Sequence, residues 1–486
     1  MKAQVYPTLK ENIAEMEKSL PGDNTLIRRE FAPRSLPGLR CCLFCIDGMV
    51  SSETINEAVL RPVTLLSRGP EPGEDAAEFL QRKVLQSCEN KPATEYGEIL
   101  RAVLYGDSVL FVEGCSRALL LGTKGFLIRG VSEPSGETYL KGPREGFVEP
   151  LLHNLAMLRR RLRTPDLKLE YFTLGTTTKT DCCLCYLSSA VDRAMLSLLR
   201  QRLARIAIDG VLDSNYAAEL VRDHRWSLFR TTGSSERPDI VASKLMEGRA
   251  AILVDGSPVA VTVPFIFLEH FQSGEDYYVS YSFAGINRFL RVAGFFVAIS
   301  ILPIYLSLVT FHQAFMPLSL ILSIARARQD IPFPILMEAI LLLLAFDILR
   351  EAGVRTPSTI GQTLSVVGGL VIGQAAVDAR LVSVPVLIVV AISGICALIA
   401  PKLKAAVVIC RLVLMVLGVS FGFYGYLLGM LGLMTLLSRQ HSFGINYLAG
   451  LPLEETDSAE DSILRVPYWM MRKYGRFLAG KGKGRR

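Results

Sequence analysis

Histidine is scarce in this 486-residue chain, and its five copies, His153, His224, His270, His312 and His441, are scattered. No H-E-x-x-H pair, complete P-loop or dinucleotide-binding fingerprint occurs, so the metalloprotease, P-loop and nicotinamide classes lose their local chemistry. The chain is therefore expected not to be an enzyme, with no cofactor, metal or nucleic acid among its partners. A signal peptide is also missing. The N-terminal stretch MKAQVYPTLKENIAEMEKSL mixes Lys and Glu with isolated apolar residues and has neither an apolar core nor a small-residue cleavage site. Long uncharged runs are absent before residue 285, which predicts a soluble, cytosolic first half.

The mean hydropathy of +0.34 is nevertheless high, and the apolar residues lie in the second half. Uncharged runs extend from Val292 to Phe311, Ile360 to Val377, Ser383 to Ala400 and Leu412 to Leu437, each near or above the roughly 20 residues that cross a bilayer. Arg288 and Arg291 precede the first run. The tail carries Arg472, Lys473, Arg476, Lys481, Lys483, Arg485 and Arg486. By the excess of Lys and Arg on the cytosolic side, both ends face the cytosol and the number of crossings is even. The stretch from Phe315 to Ala325 is too short to cross and is interrupted by Pro317, so it is expected to be re-entrant or interfacial. Four, five or six crossings fit the runs.

The cysteines Cys41, Cys42 and Cys45, and Cys182, Cys183 and Cys185, superficially resemble metal spacings but sit in apolar runs and lack a second zinc knuckle. They are expected to pack in strand cores as small hydrophobes.

The expected fold is a soluble half of two small α/β units followed by a helical multi-pass transmembrane bundle. Its parts are an N-terminal arm (1–35), a first unit (36–150), a second unit (151–285), the bundle (286–440) and a basic tail (441–486). In the first unit, strands are predicted over Leu39–Asp47, Val109–Glu113, Ala118–Gly122 and Phe126–Arg129, with a helix over Ser52–Leu60 capped by Ser51 or Ser52. In the second, Phe147, Leu151, Leu155, Leu158 and Leu162 recur at helical spacing. That helix ends in Arg159, Arg160, Arg161 and Arg163, a cluster suited to a helix C-terminus or to an acidic partner or lipid phosphate. Strands over Leu169–Leu174 and Cys182–Leu187 and helices over Asp192–Ile206 and Asn215–Asp223 follow.

Five motifs in order carry a family likeness: GPREGFVEPLLHNLAMLRRRL; Glu236-Arg237-Pro238-Asp239; Gly274-Glu275-Asp276-Tyr277-Tyr278; IPFPILMEAI with LREAGVRTP; and GQTLSVVGGLVIGQAAV. From about residue 40 to Gly444 the chain resembles the A subunit of bacterial spore germinant receptors, the GerA family. The resemblance implies an inner-spore-membrane protein that works with a transporter-like B subunit and a lipoprotein C subunit. It also implies assembly of the A subunit, as a pentamer, into a ligand-gated ion channel. Motif positions Arg144, Glu145, Glu149, Asn154, Arg159, Glu236, Arg237, Pro238, Asp239, Asp276, Tyr277 and Tyr278 become candidates for assembly or signalling. For Glu236 to Asp239, an ion pair between units or subunits competes with a local turn made by Pro238 and Asp239. The chain departs from the family pattern at Leu343, where a second intramembrane Glu is common, and at Ser442 to Tyr447, which lacks the family's Pro.

Within the bundle, Glu338 and Asp347 are nine residues apart, which puts them on opposite sides of a helix. One is expected to line a water path while the other pairs with Arg350, Arg355 or Arg411. Gly361, Ser365, Gly369 and Gly373 recur every four residues along one helix face, and the same helix bears Gln362 and Gln374; Gln362, Ser365, Gly369, Gly373 and Gln374 are candidates for a cation pore lining with Glu338 and Asp347. Gly418, Gly422, Gly425, Gly429 and Gly432 make a second small-residue face, for packing within one subunit or between subunits. The alternative reading is a secondary transporter with a cytosolic regulatory domain, built on broken helices at Pro317 and Pro332-Phe333-Pro334.

Overall fold

The computed structural model of the chain describes residues 4–71, 74–86, 89–125, 137, 139, 141–356, 358–449, 465, 467 and 469, with no side-chain description for 354 and 358–367. The strand expected at Phe126–Arg129, most of the basic tail, and the side chains of Gln362 and Ser365 lie outside the described residues.

The first unit contains helix α1 (Leu9–Ser19), strands β1 (Leu26–Phe31), β2 (Cys41–Ile46) and β3 (Asn90–Ala93), helix α2 (Tyr96–Val103), and strands β4 (Ser108–Val112) and β5 (Ala118–Leu121). Its sheet runs β1-β2-β4-β5-β3 and every pairing is antiparallel. Strand β2 is apolar at every position because both of its faces are covered. Cys42, Phe44 and Ile46 meet α1 and α2 on one side. Cys41, Leu43 and Cys45 meet the helical segments around Val59 and Leu80 on the other. The stretch 1–35 is thus no detached arm: α1 covers the sheet and β1 is its edge strand.

The second unit repeats this plan. Helix α3 (Leu151–Arg161) precedes strands β6 (Leu167–Leu174) and β7 (Thr180–Leu187). Helices α4 (Arg193–Ala204) and α5 (Ser214–Val221) then lead to β8 (Gly233–Ser235), helix α6 (Pro238–Met246), β9 (Ala250–Val254) and β10 (Ala260–Val263). The sheet order β6-β7-β9-β10-β8 is that of the first unit, again antiparallel throughout. The repetition reaches single residues. Leu26 opposes Ile46 as Leu167 opposes Leu187, and in that register Cys41-Cys42-Leu43 falls on Cys182-Cys183-Leu184. Buried Asn12 at the start of α1 bridges the N–H and C=O of Tyr6, and buried Asn154 of α3 does the same for Val148. Burial pushes the thiols of Cys41 and Cys42 up to about 12 and that of Cys45 to about 11, as expected of neutral packing groups.

Among the described residues of the second half, six α-helices follow: α7 (Tyr281–Thr310), α8 (Leu318–Arg328), α9 (Ile335–Arg355), α10 (Ser358–Asp378), α11 (Val384–Ile399) and α12 (Lys404–Ser438). Their contacts define two ends. At the end facing the soluble units, Lys402 meets Glu137, Lys404 meets Glu351, and Gln440 donates to Ser227. At the far end, Arg328 meets Glu338, Glu338 accepts from Ser383, and Arg380 pairs with Asp330.

Helix α12, which contains the long uncharged run from Leu412 to Leu437, is folded in two. Gly422 has φ 65° and ψ −148°, a conformation open to glycine alone, and the chain reverses there. A Cβ on Gly429 would lie 2.5 Å from Leu414 Cδ2, whereas those residues would be about 22 Å apart along a straight helix. A Cβ on Gly418 would sit 3.1 Å from Pro303 O, so this glycine face closes contacts within one chain. Counting both arms of α12, the backbone passes six times between the two ends, and α8 is a short piece at the far end.

The two soluble units are joined by Arg159, whose guanidinium pairs with Asp23 and donates to Thr25 Oγ1 at 3.0 Å; both partners of the ion pair are buried. Removing one member of such a pair leaves an uncompensated buried charge. Arg159→Ala is expected to cost about 3–5 kcal/mol. Combining Arg159→Met with Asp23→Leu should recover most of the loss, as read by the thermal midpoint of the first unit's unfolding.

Candidate functional site

Strand β10 is connected to α7 by the segment 264–280, which carries two buried carboxylates at the junction, Glu269 and Asp276. Ser273 caps a short helical turn, Gly274–Tyr277, in which the Asp276 carboxylate accepts from the Ser273 N–H at 3.1 Å. That bond turns Asp276 inward, toward the first turns of α7. Arg288 Nε lies 2.9 Å from Asp276 Oδ2, and Arg291 Nη1 lies 2.9 and 3.0 Å from its two oxygens. The two arginines are three residues apart and share one helix face. Asp276 and Arg288 are each 1% exposed. Arg465 from the tail donates to the carbonyls of Asp276 and Val279, and the guanidiniums of Arg288 and Arg465 lie 5.4 and 5.5 Å from the centre of the Tyr277 ring.

Beside it, Arg237 ties the linker between the units to the second unit. Fully buried, it donates to the carbonyls of Glu137 and Pro143, stacks 3.9 Å from the Tyr139 ring centre, and lies 3.3 Å from Asp239 Oδ1. Asp239 Oδ2 in turn accepts from Tyr278 OH at 2.6 Å. The Tyr278 ring packs so closely on Gly142 that a Cβ there would be 2.6 Å away, at a φ of +124°. Pro238 occupies the first turn of α6, where its missing N–H costs nothing. The Glu236 carbonyl accepts from Phe147 N–H at 2.7 Å, and Glu145 pairs with Arg160 and Arg161. Arg144 and Glu149 are exposed. The motif residues therefore meet one another within one chain, around the linker and the start of α7.

A third cluster brings in the segment that follows α12. Glu269 lies between Lys244 and Arg249. Burial pushes its carboxyl up, but the two cations outweigh burial and hold it down at about 2. His270 Nε2 lies 2.8 Å from Tyr447 OH, which donates to Arg230 O at 2.8 Å. The tyrosine proton is used on Arg230, so His270 Nε2–H donates to the tyrosine oxygen. Burial, with Lys402 nearby, lowers His270 to about 3. Ser442 Oγ accepts from Phe265 N–H at 3.0 Å and donates to Thr231 O at 2.7 Å, and Phe443 enters the core against α4 and α5. Residues 440–449 thus form a strap that returns the chain from the bundle to the second unit.

Inside the bundle, Glu338 is fully buried. It meets Arg328 at 3.2 Å and caps the start of α11 through Ser383 N (3.0 Å) and Oγ (2.8 Å). Both of its oxygens are taken by protein donors. Asp347 pairs with Arg350 at 3.0 Å and lies 3.7 Å from Arg411, which donates to Ser393 Oγ at 3.1 Å. Leu343 is buried in the apolar core. On α10, Gly369 would meet nothing within 4 Å if given a Cβ, Gly373 would only touch Leu387 at 4.0 Å, and Gln374 is exposed. Gly369 and Gly373 are therefore open, unlike Gly418, Gly422, Gly425 and Gly429 of α12. Sequence reasoning missed Glu269, His270 and Tyr447. Their signal was a buried-type run, Phe265–Phe271, interrupted by two ionisable residues.

The third cluster sets a pH dependence. His270 is protonated more readily in the unfolded chain, so stability is full above about pH 6.5 and falls as pH drops toward 3, by about 2 kcal/mol at pH 5. Glu269 acts lower down, contributing above pH 4.5 and losing that contribution as pH falls toward 2. The thermal midpoint should decline between pH 6.5 and 5, and His270→Gln should flatten that decline. An unchanged slope in the variant would contradict the assignment.

Residues 14–477 match the family of the Bacillus/Clostridium GerA spore germination protein. The chain is 38% identical to the uncharacterized membrane protein YfkQ of Bacillus subtilis over 99% of this chain and 93% of that one. It is 35% identical to spore germination protein KA of the same organism, over 96% and 86%, and 31% identical to its spore germination protein B1, over 97% of each. A crystal structure of the N-terminal domain of the A subunit of the Bacillus megaterium spore germinant receptor GerK3 matches at 28% identity and a TM-score of 0.44, covering 55% of this chain and 98% of that one. The chain belongs to the GerA family of spore germination proteins.

Proposed function

We propose that this chain is the A-type subunit of a spore germinant receptor and that it turns nutrient recognition elsewhere in the complex into ion release. It is seated in the inner spore membrane with both soluble units on the core side. The supporting observation is the Asp276 tie, which fixes the second soluble unit to the first turns of α7. By length and apolarity, Tyr281–Thr310 and Pro401–Ser438 qualify to cross a bilayer, and the second is itself a folded pair. The six end-to-end passes then correspond to six crossings, which returns the tail to the side of the soluble units.

Several copies, in the family's pattern a pentamer, surround a cation path, with the open face of α10 at Gly369, Gly373 and Gln374 turned to it or to a neighbour. Glu338 and Asp347 hold the bundle together instead of lining the path. The transporter-like B subunit and the lipoprotein C subunit are the partners, and recognition of the nutrient belongs to the B subunit. No catalytic step is assigned to this chain.

The test is cation efflux from proteoliposomes holding the three subunits. Channel function predicts germinant-triggered flux that runs down either gradient, and Asp276→Asn should abolish the trigger while the oligomer keeps its size. Attaching a water-soluble thiol reagent to a Gln374→Cys variant should block the flux. Saturable uptake coupled to a second ion would instead establish a transporter.

A further inference from the structure

Helix α7 is far longer than the pass packed beside it. Its 30 residues rise about 45 Å, against about 24 Å for the 16 residues of α11. Two contacts fix where the surplus lies. Ser393 Oγ donates to Ala298 O at 2.7 Å, and a Cβ on Gly294 would lie 3.2 Å from Cδ1 of Ile399, the last residue of α11. Lys402 and Lys404 follow at once, so Gly294 stands level with the rim of the apolar belt at the end facing the soluble units. The residues of α7 before it, 281–293, project beyond that rim.

A projecting helix is polar on any face left to water, yet Phe283, Ile286, Phe289 and Leu290 are each more than half exposed. Half-buried Ala293 and exposed Val297 continue the stripe toward the belt. Positions 283, 286, 290, 293 and 297 alternate steps of three and four, the spacing of a left-handed coiled-coil seam. Counted along the axis from Gly294, Leu290, Ile286 and Phe283 stand about 6, 12 and 17 Å above the rim, whereas the headgroup layer is roughly 5–8 Å thick. Lipid therefore reaches Leu290 and stops short of Ile286 and Phe283. The only charged residues from Tyr281 to Val297 are Arg288 and Arg291, and both are held by Asp276 on another face of the helix. Ser282, Asn287 and Phe289, which flank the seam, carry no charge, so nothing in it repels an identical face.

The occupant that fits is an apolar helix rising out of the bilayer beside α7 and to the same height. A second copy of this chain supplies one. Copies in one bilayer share orientation and depth, so their α7 stripes run parallel with like residue level with like. Two heptads are short for helices free in water, but confinement in the membrane raises the effective concentration of the partner. We propose that Phe283, Ile286, Leu290, Ala293 and Val297 form a parallel seam with the same residues of a second copy, mostly above the membrane. The proposal rests on the membrane reading above. It places the contact between copies one helix face away from the Asp276 tie.

Ile286→Cys, Leu290→Cys and Asn287→Cys, each in the full chain reconstituted alone at several copies per nanodisc, read the contact. Mild copper–phenanthroline oxidation is expected to link chains at 286 and 290 about tenfold faster than at 287, which lies about a quarter turn from the seam. The unsubstituted chain sets the background, its described cysteines being buried or half-buried. Ile286→Glu with Leu290→Glu, at exposed sites, should cut linking at Phe283→Cys about tenfold while the thermal midpoint holds. Equal linking at all three positions, or none at 286 and 290 while a water-soluble maleimide labels both, would overturn the seam. Protection at 286 without linking would overturn it as well. In discs of one copy it would mark the chain's own residues 450–486 as the cover; in discs of several copies alone, another surface of the second copy; and only after the other subunits are added, one of those. Ile388→Cys, exposed midway along α11, keeps the membrane reading separate. Shielding from maleimide at 388 beside a failed seam would leave that reading standing, whereas labelling at 388 as fast as at 287 would reject both.

Discussion

The structure turns on the burial of Asp276. A carboxylate that is 1% exposed keeps its charge only if that charge is met, and here two guanidiniums three residues apart on one helix meet it. Removing Asp276 takes the counter-charge from buried Arg288, a far larger penalty than that of breaking a surface pair, whereas loss of either arginine leaves the carboxylate one cationic partner. The geometry has a direction as well. The carboxylate belongs to a turn capped by Ser273 and continuous with the second sheet, whereas the arginines belong to the first long helix of the bundle. A rotation of one body against the other must break charge-assisted bonds, so the connection is stiff.

Around that tie the other contacts act in series. Tyr277 shares the arginines with the tail, and Tyr278 passes through Asp239 and Arg237 to the linker that joins the two units. His270 and Ser442 pull the strap after α12 onto the same segment. The first and last passes of the bundle are thereby held to one soluble unit, and the other unit is joined to that one at Arg159 and by the packing around it. The repeated architecture of the two units gives this asymmetry meaning. Both have the same strand order and the same buried asparagine, yet only the second receives the strap.

Much of this was legible in the sequence where one physical signal dominated. Strands β2 and β7 announced themselves as unbroken apolar runs, because a central strand is covered on both faces. That a carboxylate in an apolar helix meets one of Arg350, Arg355 and Arg411 was expected from the cost of a lone charge, and Asp347 meets Arg350 and Arg411; of the two serines offered as a cap, Ser51 is the one that accepts. What escaped did so for identifiable reasons. Strand β1 is an edge strand with Arg28, Arg29 and Glu30 in succession, so it shows no alternation, and β3 carries Pro92, tolerable only at an edge. The reversal at Gly422 has no polar turn residues to mark it, and a run of glycines suggests a packing face as readily as a bend. The internal repeat was hidden because it survives in strand register and two asparagines, with little residue identity between the units.

The central claim is that the segment from Phe265 to Tyr278 and the strap from Gln440 to Ala449 form one rigid body with the start of α7. Hydrogen exchange of the full chain in nanodiscs, followed peptide by peptide, tests it most directly. The account predicts that both segments are protected together and open together, with the same free energy, and that Asp276→Asn lowers that free energy for both. Independent opening of the strap, or protection in the strap that ignores the loss of Asp276, would contradict it.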